Sequence, residues 1–121
     1  VEHTLRAHIS HELEALPADQ VVMLKLTLPT TDGLYDRIVG HEAVLRVAAL
    51  SGGYDRVEAP ARLARYHGMI ASFSRALTEG LDVAQSDVAF DAQLATSIEQ
   101  IYTASITRTL DHLSCAESPT R

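Results

Sequence analysis

A single cysteine, Cys115, excludes an internal disulfide and a cysteine-based zinc site, and suits a reducing compartment. There is no basic stripe and no interleaving of aromatic with basic residues. With a formal charge of −6, nucleic acid is not an expected partner. Any anionic ligand has to be held by local donors against that overall field. No apolar stretch reaches the roughly 20 residues of a membrane helix, and no secretory signal is visible. The expectation is a soluble, cytoplasmic protein with no membrane partner. No Ser–His–Asp pattern, EF-hand loop, internal repeat or linker occurs. The chain begins with Val1 rather than Met, inside a helical pattern, which raises processing or truncation as an expectation.

What is present is ordinary globular composition, 46% apolar and 21% charged. Its 121 residues suit one domain. Leu5, Ile9, Leu13 and Leu16 recur at helical spacing, and Pro17 stops the run. Val21 to Leu28 reads as a strand closed by Pro29. Asp32-Gly33 is turn chemistry, followed by a short helix from Leu34 to Val39 ending at Gly40. A second strand, Val44 to Leu50, ends in Ser51-Gly52-Gly53, and a helix spans Asp55 to Tyr66, with Pro60 late for a first-turn proline. Met69 to Phe73 is a third strand and Ser74 to Glu79 a helical segment. Ser86 reads as the N-cap of a long amphipathic helix carrying Phe90, Leu94, Ile98, Ile101 and Tyr102. Ile106, Leu110 and Leu113 prolong that pattern, and residues 114–121 have the composition of a flexible tail. Strand–helix alternation implies parallel strands joined by right-handed crossovers. Three such units supply too few strands to close a barrel and too few helices to cover both faces, so residues 1–121 are expected to be a single partial domain of something larger.

Lys25 stands inside the otherwise apolar run Val21-Val22-Met23-Leu24-Lys25-Leu26-Thr27-Leu28. Alternation puts Val22, Leu24, Leu26 and Leu28 on one face and Val21, Met23, Lys25 and Thr27 on the other. The aliphatic face should meet helices, and the mixed face should look into a site or a barrel interior. An amine removed from water there is favoured in its neutral, nucleophilic form. The plainer reading is an edge-strand lysine whose stem runs along apolar surface.

The other suggestive residues also fall late in strands or just after them, at the carboxyl edge where α/β folds bind ligands. Ser51-Gly52-Gly53 lets backbone N–H groups approach an anion, and a helix from Asp55 would add its positive end. Alone, such a triplet is usually a simple turn. Ser72 and Arg75 end the third strand. A guanidinium grips phosphate bidentately, whereas the plainer role for Arg75 is a salt bridge to Glu79, four residues on. His8, His11 and Glu12 form the pattern of a solvated helix surface, so no metal and no cofactor is expected. Arg46 has no assigned role.

Val22 to Pro29, Leu50-Ser51-Gly52-Gly53-Tyr54 and Ile70-Ala71-Ser72-Phe73-Ser74-Arg75-Ala76-Leu77 together closely resemble class I, Schiff-base fructose-1,6-bisphosphate aldolases, most strongly the short bacterial branch, over residues 15–105. The resemblance implies an α/β fold of parallel strands: the C-terminal three strand–helix units of a (β/α)₈ barrel, left incomplete here because a full barrel needs roughly 250 residues. It maps the Schiff-base lysine onto Lys25 and substrate-phosphate binding onto Ser51, Gly52, Gly53 and Arg75, with Ser72 in the same loop. The implied ligand is a small sugar phosphate, and a homo-oligomer of the longer enzyme is compatible with it. The family's acid–base residues come from earlier strands absent from this sequence. Asp32 is close in sequence, but nothing recommends it for that role. Weak or no turnover is expected from the chain alone. Two other readings stay open: an inactive phosphate-binding half-barrel, and a transaldolase-like Schiff-base lyase.

Overall fold

The computed structural model describes residues 1–115, with side chains described through Ile106. The element order is α1 (Glu2–Glu14), β1 (Val22–Thr27), α2 (Asp36–Val39), β2 (Val44–Leu50), α3 (Glu58–Leu63), β3 (Met69–Ala71), α4 (Ser74–Thr78) and α5 (Asp87–Cys115). The three strands form one parallel sheet in the order β1-β2-β3. This is the expected open α/β sheet of three strand–helix units, as a partial barrel has.

Side-chain alternation decides which face is covered. Leu24 and Leu26 lie opposite Val47 and Ala49, which in turn lie opposite Met69 and Ala71. These residues face the helices, and Val47, Ala49 and Met69 are buried. Leu28 continues the same face and is buried, its N–H donating to the Leu50 carbonyl at 3.1 Å. Leu13, Ile38, Ala59, Leu63 and Ala76 complete this core from α1 to α4. The register breaks between Val22 and Met23. Leu45 is thereby passed over, and Arg46 falls opposite Met23.

Contacts at the helix ends fix the helices against the strands. Glu2 accepts the Thr30 N–H at 3.2 Å and the Thr30 hydroxyl at 2.7 Å. At the other end Glu14 lies 3.5 Å from His41 Nε2. Helix α1 therefore runs antiparallel to β1, from its carboxyl end to its amino end. The expected helix over 55–66 is shorter, Glu58–Leu63. Asp55 Oδ1 accepts the N–H groups of Val57 at 2.9 Å and Glu58 at 2.7 Å, holding the entry as a turn. With that start, Pro60 falls within the first turn, where a missing N–H costs nothing. Strand β3 and α4 are each shorter at the carboxyl end than expected. Ser86 Oγ accepts the Ala89 N–H at 3.2 Å, as its capping role requires.

Helix α5 departs most from its sequence reading. Its backbone runs to Cys115, so Ser114 and Cys115 close a helix, while the rest of the anticipated tail lies outside the described residues. Its covered side is Ser97, Ile101 and Ala104, whereas Phe90, Ile98 and Tyr102 are exposed. The apolar pattern marked two sides of the helix, of which one is packed. Among the described residues no helix is long and apolar enough to cross a membrane.

Candidate functional site

The face of the sheet turned away from the helices carries Met23, Lys25 and Thr27 on β1, opposite Arg46, Ala48 and Leu50 on β2, with Ile70 beside Ala48 on β3. Met23, Lys25 and Thr27 are exposed. The sequence reading expected Lys25 to be buried, and in this chain it is not. The physical reason is architectural: the helices with buried positions pack on the other face, so among the described residues no helix covers Lys25. The Lys25 side chain forms no ion pair or hydrogen bond among the described residues. It is also the only lysine among the ten basic residues. The other nine are arginines, which cannot deprotonate and so cannot serve as nucleophiles.

The diglycine bend closes over this face. Gly52 and Gly53 have φ of 67° and 87°, in the left-handed region that glycine tolerates best. A Cβ on Gly52 would stand 2.7 Å from Thr27 Cγ2. The bend therefore lies directly on Thr27, which shares the Lys25 face and is two residues, about 6.6 Å, further along β1. Nothing lies within 4 Å of the corresponding position on Gly53. The Tyr54 N–H donates to the Ser51 carbonyl at 3.2 Å. The N–H groups of Gly52 and Gly53 donate to nothing among the described residues, the arrangement an anion-binding bend requires.

Ser72 and Arg75 leave the same edge one strand over. The Ser72 N–H donates to the Ala49 carbonyl at 2.8 Å, which leaves its hydroxyl as its remaining donor. Arg75, in the first turn of α4, is exposed and makes no salt bridge among the described residues. The alternative pairing with Glu79 does not form, because Glu79 Oε2 accepts the Arg56 N–H at 2.7 Å instead. One expectation is corrected. The amino end of α3 offers no free positive end, since Asp55 itself occupies its N–H groups.

Several contributors escaped the sequence reading. Thr27 forms the floor of the bend. Arg46 shares the Lys25 face one rung nearer the amino end of the strands and is exposed. Arg62 stacks on Tyr54, 4.0 Å from its ring centroid, and pairs with Glu58 at 3.0 Å, bracing the bend from behind. Tyr66 donates to the Pro29 carbonyl at 2.8 Å and to Asp32 Oδ1 at 3.3 Å, fixing the loop that leaves β1. Burial pushes the Tyr66 phenol above its ordinary value, and the neighbouring Asp32 carboxylate adds to that. Asp32 is thereby a structural acceptor, which also pairs with Arg65 at 3.6 Å. Only the local signals at Tyr54 and Asp55, directly after the diglycine, were near enough in sequence to have been found. Among the described residues no cluster of three potential metal ligands occurs.

No family model matches the chain. Curated proteins do. The chain is 57% identical over 106 residues to a protein of Synechocystis named fructose-bisphosphate aldolase class 1. It is 50% identical over 105 residues to one of the same name from Porphyromonas gingivalis, and 48% over 106 residues to one from Clostridium acetobutylicum. These matches take in 88, 87 and 88% of this chain but 35, 35 and 36% of the relatives. The chain thus spans about a third of the length of the curated relatives it matches. The resemblance carried by the three motifs is shown by these relatives.

Proposed function

We propose that this chain supplies the Schiff-base lysine and one phosphate site of a class I fructose-bisphosphate aldolase, a cytoplasmic lyase of glycolysis. Such an enzyme reversibly cleaves fructose 1,6-bisphosphate to dihydroxyacetone phosphate and glyceraldehyde 3-phosphate. The observation that carries the reading is the position of the chain's only lysine on the face over which the diglycine bend closes, about 6.6 Å short of its floor residue along the strand.

The chemistry assigned to these residues is as follows. The neutral Lys25 amine attacks the C2 ketone of the bound sugar phosphate, and the carbinolamine loses water to give an iminium. That cation draws the electron pair of the breaking C3–C4 bond, leaving an enamine on Lys25 and releasing the aldehyde. The C4 hydroxyl proton goes to a base outside this chain. Gly52 and Gly53 N–H groups, the Ser51 and Ser72 hydroxyls and the Arg75 guanidinium hold the C1 phosphate. Fixing the phosphate fixes the distance from C2 to the amine, so binding is converted into orientation. Polypeptide closing over the open face would strip water from Lys25 and favour its neutral form.

The test is borohydride trapping with dihydroxyacetone phosphate. Hydride delivered to C2 of the iminium leaves a stable secondary amine, expected as a single adduct in the peptide containing Lys25. An adduct that persists in Lys25→Met, or none at all, would overturn the assignment. Cleavage assays on fructose 1,6-bisphosphate against a transaldolase donor then separate the two Schiff-base lyases.

A further inference from the structure

Two arms leave the carboxyl edge of the sheet side by side. One runs from the end of β2 through Ser51, Gly52 and Gly53 to the turn held by Asp55. The other runs from the end of β3 through Ser72 into α4, which carries Arg75. At their roots the sheet joins them, the Ser72 N–H donating to the Ala49 carbonyl at 2.8 Å. At their tips they are joined again. Glu79 Oε2 accepts the Arg56 N–H at 2.7 Å, and the Arg56 guanidinium donates to the Glu79 carbonyl at 3.3 Å. Ser51, Gly52, Gly53 and Arg75 all lie between the two ties.

The outer tie is reciprocal, since each side chain holds the backbone of the other residue. Its tip is also tightly built. The chain turns out of α4 at Gly80, with φ of 81°, and a Cβ there would stand 3.2 Å from Gln93 Nε2 and 3.7 Å from Arg56 Nη1. The two arms differ in their own anchorage. Phe73 and Ala76 seat the second in the core, whereas between Ser51 and Arg56 only Tyr54 packs on it, and only in part. A tie at the root alone would fix one distance and let the arms splay. Two ties fix the angle between them.

The choice of residue is informative. Glu79 brings a negative charge to the rim of a site proposed for an anion, which by charge alone opposes binding. It also forgoes the helical pairing with Arg75 that its spacing offers. Both features make sense if the carboxylate holds the neighbouring arm and leaves the Arg75 guanidinium unpaired.

We propose that Glu79 is a positioning residue for the phosphate. Through the Arg56 N–H it sets the gap between the Gly52 and Gly53 N–H groups on one arm and Arg75 on the other, so that both close on a single phosphate group. The inference rests on the reading of these two arms as a phosphate site, and not on the Schiff-base step.

The test is titration of the chain with inorganic phosphate, read at the Gly52 and Gly53 amide resonances, alongside borohydride trapping at Lys25. Glu79→Ala should need about tenfold more phosphate for half-saturation, the loss of one oriented charge-assisted contact. Charge alone predicts the opposite sign, because this substitution removes an anion. Glu79→Gln keeps an acceptor oxygen and should stay within about twofold of the unsubstituted chain. Glu42→Ala removes the same charge before the amino end of β2, where Glu42 is exposed, and should leave the titration unchanged. In Arg75→Met the cost of Glu79→Ala should shrink to about twofold, since one of the two groups being spaced is gone. Trapping with dihydroxyacetone, which carries no phosphate, should proceed equally in Glu79→Ala, whereas a general loss of fold would change it. Phosphate binding in Glu79→Ala as tight as in the unsubstituted chain, or tighter, would overturn the inference. So would Glu79→Gln as weak as Glu79→Ala, or an undiminished cost in Arg75→Met. No phosphate response at all overturns it together with the phosphate site. Should Lys25 resist trapping by both ketones, the lyase reading fails while the phosphate titration still decides this inference.

Discussion

The two faces of the sheet are built from the same three strands and differ by one residue in phase. On the covered face Leu24, Leu26, Val47, Ala49 and Met69 meet helices and form the core. On the open face Met23, Lys25, Thr27 and Arg46 stand exposed, with the diglycine bend resting on Thr27. The difference teaches that stability and chemistry are separated by parity. A substitution at an even position of β1 tests the fold, and one at an odd position tests the site.

The sharpest way to break the comparison is to injure the covered face. Leu28→Ala removes a side chain 1% exposed and should cost about 2–5 kcal/mol in urea unfolding. Met23→Ala, on the open face, should stay within about 0.5 kcal/mol. Equal costs would erase the distinction. A smaller effect is expected where the faces meet the bend. Gly52→Ala brings both a left-handed φ and a clash with Thr27, and should cost about 1–3 kcal/mol. Gly53→Ala, with open space around it, should cost about 1 kcal/mol, for its backbone alone. Thr27→Ser removes the clashing methyl, so in a double-mutant cycle it should recover part of the Gly52→Ala loss.

Tyr66→Phe comes next, at about 1 kcal/mol for the lost bond to Pro29. It carries a sign in pH. The phenol is raised above 10.0 in the folded chain, so above that pH the unfolded chain loses its proton first. The folded state then holds more protons than the unfolded one, and stability falls as pH rises. Alkaline denaturation should be less steep in Tyr66→Phe. The smallest effect on stability is expected for Lys25→Met, within about 0.5 kcal/mol, although it should abolish Schiff-base trapping completely.

Period-two alternation in Val22 to Leu28 assigned the faces correctly, and Val44 to Leu50 was legible to the residue because polar residues after Gly40 and the Ser51-Gly52-Gly53 turn bound its apolar run. Which face is covered by the chain's own helices is a tertiary matter, so the burial expected for Lys25 did not follow from its neighbours. The register break that places Arg46 beside Met23 leaves no local mark, since both strands remain apolar. The helix after the diglycine was read too long because its Asp55 cap acts through a turn and not through the helix itself. In α5, Phe90, Ile98 and Tyr102 carry a correct helical period on the side that nothing here covers. Hydrophobic periodicity reports that a face wants a partner, and is silent on where that partner lies.

The central claim, an amine and an anion cradle sharing one open face, is tested most directly by comparing two ketones. Lys25 should be trapped by borohydride about tenfold faster with dihydroxyacetone phosphate than with dihydroxyacetone at equal concentration, the worth of one charge-assisted contact. That advantage should vanish in Arg75→Met. Equal trapping of the two ketones, or an advantage that survives loss of Arg75, would contradict the claim.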